Sequence, residues 1–132
     1  MDYSDTEVRE LGEKLKKLCQ SLNFTLSTAE SCTGGLVASA MTDFPGSSEV
    51  YLGGVCAYAN QIKVSMLGVE PGLLRQYGAV SGQVAEAMAS GVLEKTGAQL
   101  GLSTTGIAGP GGATEGKPVG TVWCGAALRL GQ

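Results

Sequence analysis

Between residues 5 and 22, apolar side chains recur at helical spacing (Val8, Leu11, Leu15, Leu18 and Leu22), with charged residues filling most of the positions between them. Ser4 followed by Glu7 forms a capping box, so the pattern predicts a first helix over about 5–22, ended by Asn23. The period then changes. Residues 24–27 read as a short buried strand, and the run Thr28 to Gly35 leads from it into a helix of small and apolar residues ending near Asp43. Pro45 and Gly46 stop that helix, and residues 50–59 read as a glycine-containing strand with Tyr58 near its end. Asn60 is expected to cap a short helix that carries Lys63 in its first turn. Residues 71–77 suggest another short helical piece. Ser81 opens a longer helix in which Val84, Ala85, Met88, Ala89, Val92 and Leu93 share one face, and Gly97 closes it. Residues 100–105 and 119–128 read as the last strands, joined by a glycine-rich loop over 106–118 of a length that usually carries a function. Helices alternating with strands predict an α/β fold, a three-layer α/β/α sandwich around a mixed, mostly parallel sheet.

Composition narrows the functional classes. The 132 residues fit one domain, and 43% hydrophobic against 16% charged residues excludes a disordered chain. A net charge of −3, with Lys14, Lys16 and Lys17 set among glutamates on a helix, argues against a nucleic-acid partner. No segment reads as a membrane span or a signal peptide, so the expected location is cytoplasmic. Cys19, Cys32, Cys56 and Cys124 are widely spaced and the chain has no histidine, so neither a metal site nor a disulfide framework is expected. Cys32 is set apart by its glycine-rich turn, where a helix N-terminus could lower its pKa.

The lack of histidine also shapes any nucleophilic chemistry. A serine hydroxyl needs a base, and here a lysine neutralised by burial is the natural candidate. Three polar clusters lie at strand ends: Glu30, Ser31 and Thr33; Ser48 with Tyr58 and Lys63; and residues 103–105 with the glycine loop. In an open α/β sheet such ends form the ligand crevice. The first cluster, with Gly34 and Gly35, offers an anion seat; the second offers a nucleophile and base; the third offers hydroxyls and backbone donors. Each has a structural alternative. Gly34 and Gly35 serve equally well for tight helix packing, Ser47 and Ser48 as a turn after Pro-Gly, Tyr58 as a half-buried strand residue, Lys63 as a surface lysine, and Thr105 as a satisfied strand-end hydroxyl.

The stretches TAESCTGG (28–35), PGSS (45–48), AYANQIKVSMLGV (57–69), YGAVS (77–81), TTGIAGPGG (104–112) and KPVGTVW (117–123) resemble, in order and over nearly the whole chain, the nicotinamide-nucleotide amidase family, or CinA C-terminal domain. The resemblance implies a metal-free and cofactor-free serine amidase on a mixed five-stranded sheet. It would convert nicotinamide mononucleotide to nicotinate mononucleotide and ammonia. It puts the nucleophile on Ser48, the base on Lys63 and supporting hydroxyls on Tyr58 and Thr105. Glu30, Ser31, Thr33, Gly34, Gly35, Gly106 and Gly109 are then expected to bind the nucleotide substrate. It further implies a single domain over 1–132 without the family's final strand and helix, and without the pyrophosphatase-like domain that precedes some members. A dimer is expected. The competing readings are a noncatalytic nucleotide-binding or regulatory domain and a serine amidohydrolase for another small amide.

Overall fold

Four strands in the order β2-β1-β3-β4 form the central layer of the computed structural model, which describes residues 4–130. In chain order the elements are α1 (Asp5–Leu22), β1 (Leu26–Glu30), α2 (Leu36–Met41), a 3-10 turn (Ser47–Glu49), β2 (Tyr51–Cys56), α3 (Asn60–Leu67), α4 (Pro71–Tyr77), α5 (Gly82–Thr96), β3 (Leu100–Gly106) and β4 (Val122–Leu128). β1 runs parallel to both β2 and β3, and β4 is antiparallel to β3. The sheet is therefore mixed and mostly parallel, as the alternation of elements predicts.

Side-chain alternation along β1 divides the core between two faces. Leu26 joins Cys19 of α1, Met41, Phe44 and Val50 on one side. Ala29 joins Val84, Met88 and Val92 of α5 with Leu67 of α3 on the other. Such separate clusters are what a three-layer sandwich requires, because a parallel sheet buries both faces.

The helix boundaries follow local chemistry. Ser4 accepts the Glu7 N–H while Glu7 accepts the Ser4 N–H, closing the capping box, and Ser81 accepts the Val84 N–H at the start of α5. Three expectations shift. β1 begins at Leu26 rather than Phe24 and runs on to Glu30, because its parallel pairing with both neighbours extends to that residue. Asn60 is the first residue of α3 rather than its cap; Ala59 holds the cap position without a side-chain bond. The regular stripe on α1 stays largely outside the core: Gly12 and Cys19 are buried, while Val8, Leu11, Leu18 and Leu22 are exposed. The outer strand β4 likewise exposes Val122, Trp123 and Leu128. No helix among the described residues is long and apolar enough to cross a membrane.

Candidate functional site

The C-terminal ends of β1 and β2 lie side by side, because the parallel register pairs Glu30 with Cys56 and the Ala57 N–H donates to the Glu30 carbonyl at 2.7 Å. The residues that leave these strands, Ser31 and Ala57–Tyr58, are thus neighbours across the sheet edge. Lys63 lies in the helix that follows, and helical side chains lean toward the N-terminus of their helix. Its amine therefore reaches back over the start of α3. Lys63 Nζ lies 2.9 Å from the Ala57 carbonyl oxygen, 2.9 Å from that of Tyr58 and 3.0 Å from Ser31 Oγ.

Lys63 is only 1% exposed. Burial drives its pKa below the ordinary lysine value, and the opposing pull of Cys32 and Cys56 does not reverse that direction. A neutral amine has two N–H bonds and one lone pair. Here Nζ donates to Ser31 Oγ as well as to both carbonyls, and Ser31 Oγ donates to the Tyr58 carbonyl at 3.5 Å. In a neutral amine whose two N–H bonds stay on the carbonyls, the lone pair is left for Ser31 Oγ, a geometry that suits proton abstraction.

The pair opens onto a cavity of about 320 Å³, lined also by Thr105 and by the first part of the glycine loop, from Gly106 to Gly109 with Gly111 and Gly112. That loop is held at its base by Ile107 N–H to Thr121 O at 2.9 Å and Gly120 N–H to Ile107 O at 2.8 Å. Farther out, Thr114 and Lys117 exchange a pair of backbone bonds. A larger groove of about 670 Å³ lies beside Trp123 and Tyr77, but its one lysine, Lys117, donates to the Tyr77 carbonyl. The smaller cavity contains the hydrogen-bonded Ser31–Lys63 pair, and that chemistry rather than size marks it as the candidate site.

The structure rearranges several roles expected from the sequence. Ser48 is not at Lys63. It sits in the turn before β2, whereas Lys63 follows the other end of that strand, and six residues of strand span about 20 Å. Ser48 is exposed, and its turn docks instead on α1, where Gln20 donates to Glu49 and Lys16 donates to the Pro45 carbonyl. The Tyr58 side chain is 76% exposed at the cavity mouth, and its contribution to Lys63 is the main-chain carbonyl rather than the phenol. Thr105 lines the cavity, but its hydroxyl donates to the Ala79 carbonyl at 2.9 Å.

The expected anion seat is already filled from within. Glu30 accepts from the N–H groups of Gly35, Val37 and Ala38, the donors at the start of α2, and Thr33 donates to the same carboxylate. Glu30, Thr33, Gly34 and Gly35 do not line the cavity. The two glycines have positive φ values of 60° and 112°, which explains their presence as a matter of turn geometry. The Cys32 thiol does line the cavity; burial, the largest influence on it, raises its pKa instead of lowering it. Asn60, Ala79 and Val80 also line the cavity; they lie in the AYANQIKVSMLGV and YGAVS stretches, but nothing in the sequence assigned them a site role. Among the described residues there is no group of three potential metal-ligating side chains.

Comparison with known proteins places these features in a family context. The CinA C-terminal domain family matches residues 8–132. A CinA-like protein of Chlorobaculum tepidum is 52% identical over 128 residues, which are 97% of this chain and 30% of that protein. One of Synechocystis is 47% identical over 132 residues, 100% of this chain and 32% of that protein. The chain thus spans about 30% of the length of the curated relatives it matches. Among solved structures, a competence/damage inducible protein from Agrobacterium tumefaciens superposes with a TM-score of 0.91 at 42% identity, covering 100% of this chain and 79% of that one. A competence-damaged protein (CinA) superfamily protein from Escherichia coli gives 0.90 at 35% identity, covering 98% and 76%.

Proposed function

The chain belongs to the CinA C-terminal domain family, and from that premise we propose that it is an amidase acting on the carboxamide of nicotinamide mononucleotide, with Ser31 as nucleophile and Lys63 as base. The observation that carries the proposal is the 3.0 Å approach of Lys63 Nζ to Ser31 Oγ, with both of the remaining amine contacts going to main-chain carbonyls.

The steps follow from those atoms. The Lys63 lone pair takes the Ser31 hydroxyl proton as Oγ bonds to the carboxamide carbon, and the carbonyl electrons move onto oxygen. Collapse of this oxyanion breaks the C–N bond, and the Lys63 ammonium gives its proton to the leaving nitrogen, releasing ammonia. Ser31 is left as an ester. Lys63, neutral again, deprotonates a water that attacks the ester, and the proton returns to Ser31 Oγ with release of the carboxylate product. The burial that lowers the Lys63 pKa raises the share of neutral amine at a given pH and so favours the first proton transfer. Because Glu30 occupies the amides at the start of α2, the substrate phosphate and ribose are assigned to the backbone of the glycine loop opposite the pair.

Paired serine substitutions test this assignment. Ser31→Ala is expected to lower kcat for ammonia release from nicotinamide mononucleotide by at least about 10³-fold, and Ser48→Ala to change it by less than about twofold. The reverse order of effects would return the nucleophile to Ser48. Ammonia release from other small amides but not from the nucleotide would move the substrate and retain the mechanism.

A further inference from the structure

A carboxylate that does not line the cavity lies one residue before the proposed nucleophile. Glu30 ends β1 and is 2% exposed, and its carboxylate receives its hydrogen bonds from the segment just ahead of it. Its Oε1 accepts from Thr33 Oγ1 at 2.6 Å, from Gly35 N–H at 3.1 Å and from Val37 N–H at 3.0 Å, and its Oε2 accepts from Ala38 N–H at 3.0 Å. The ion pairs among the described residues are Arg9–Glu13 and Arg129–Glu94, so Glu30 is held by dipolar donors alone.

A buried charge without a cation is costly, and capping the short helix α2 does not require one. Ser, Thr or Asn at the cap position satisfies the first amides of a helix without a buried charge, whereas here Gly35 holds that position. The Glu30 arrangement differs from a cap in its reach. The carboxylate binds groups three to eight residues ahead, drawing the end of β1 onto the first turn of α2. The intervening Ser31–Gly34 segment becomes a closed loop with both ends fixed. That loop is tied down again from β3: the Ser31 N–H donates to the Thr104 carbonyl at 3.0 Å, and Thr33 Oγ1 meets Thr104 Oγ1 at 2.7 Å. The Gly34 N–H returns to the Ser31 carbonyl at 3.1 Å. The backbone of Ser31 is thereby fixed relative to β2, whose continuation supplies the carbonyls that orient Lys63.

We infer that Glu30 is the positioning residue for Ser31, holding the β1–α2 loop so that Oγ stays within hydrogen-bond reach of the Lys63 amine. The inference rests on Ser31 being the nucleophile. It assigns Glu30 to the rate of the chemical step and not to substrate affinity.

The test measures steady-state hydrolysis of nicotinamide mononucleotide alongside the rate at which a fluorophosphonate labels Ser31, read by intact mass and peptide mapping. Glu30→Gln keeps the shape but turns an NH2 toward backbone donors. It is expected to lower both kcat and the labelling rate by about 30–100-fold, with KM within about threefold, in protein that remains folded at the assay temperature. Thr33→Val removes one of the donors and should lower both rates by about 3–10-fold, and Thr33→Ser should restore them. Should Glu30→Gln fail to fold, the Thr33 pair decides the matter. A folded Glu30→Gln with both rates within about twofold of wild type overturns the inference. So does a KM increase at unchanged kcat, which would make Glu30 a substrate contact. Wild-type protein that is neither labelled at Ser31 nor active on the nucleotide removes the nucleophile assignment itself, an outcome distinct from a silent Glu30 substitution.

Discussion

Lys63 depends on a balance between two kinds of neighbour. Burial disfavours its charged form, while the Ala57 and Tyr58 carbonyls accept hydrogen bonds from it in either form. Because the proposed base works only when neutral, the rate should rise with pH through a pKa below the ordinary lysine value of about 10.4. A kcat/KM profile between pH 6 and 10 should show one ascending limb, and a profile flat over that range would count against Lys63 as base. The same residue shows what sequence can and cannot disclose. The absence of histidine led from composition to a lysine base, and Lys63 was legible as the best-placed lysine. Its serine partner was not legible. Ser31 and Ser48 both lie near strand ends with a glutamate beside them, and only the direction of β2 shows that Ser48 sits at the opposite end of that strand from Lys63. Glu30 was misread for a related reason: a glutamate in a glycine-rich turn looks available until the amides it already binds are known.

The site is assembled from elements whose mutual distance is set by small residues. α3 carries Lys63, and it can lie close to α5 because Gly91 has no side chain: a Cβ there would meet the Leu67 carbonyl oxygen. Gly91→Ala must therefore push the C-terminal end of α3 away from α5. Overpacking of this kind costs about 1–3 kcal/mol, a loss of roughly 3–10 °C in Tm for a chain of this size. Thermal melts would check the stability loss, and ammonia release at 25 °C would check whether the shift reaches Lys63. A melt unchanged within 1 °C or so would mean that the two helices are less tightly coupled than their contact implies. Most elements were readable because caps and periodicity act locally: Ser4 with Glu7, Ser81 and the Val84–Leu93 face each specify α1 or α5 without help from the rest of the chain. The ends of β1 and β4 were not readable to the same degree, since pairing with β2 and β3 sets them. The α1 stripe misled because its spacing reports an apolar face but not whether anything covers it.

At the scale of the whole molecule, the fold class could be read from the order of elements, whereas the energetic consequences of the buried charges require the folded coordinates. Burial, the largest influence on Glu30, would raise its pKa, but hydrogen bonds from Thr33, Val37, Ala38 and Gly35 outweigh it and the net shift is downward. The folded state thus binds a proton at Glu30 less readily than the unfolded chain does, so stability rises with pH across that window. The stabilisation is fully present above the unfolded glutamate pKa of about 4.3 and is lost as pH falls through the lower folded value. Lys63 has the same sign at the other end of the scale: its lowered pKa means the burial penalty is relieved as pH climbs toward about 10.4. There, however, Cys19, Cys32 and Tyr51 oppose it, because burial raises their pKa values and the unfolded chain loses those protons first. The alkaline side of a stability profile therefore mixes opposing signs, while Glu30 acts in one direction on the acid side. Comparing melting temperatures of wild type and Glu30→Gln from pH 3 to 7 isolates it. The wild-type advantage should be largest above about pH 5 and shrink steadily toward pH 3, as the carboxylate that holds the Ser31 loop takes up its proton. A gap between the two proteins that stays constant over that range would mean that the charge of Glu30 contributes nothing to the fold, leaving only the shape of its side chain.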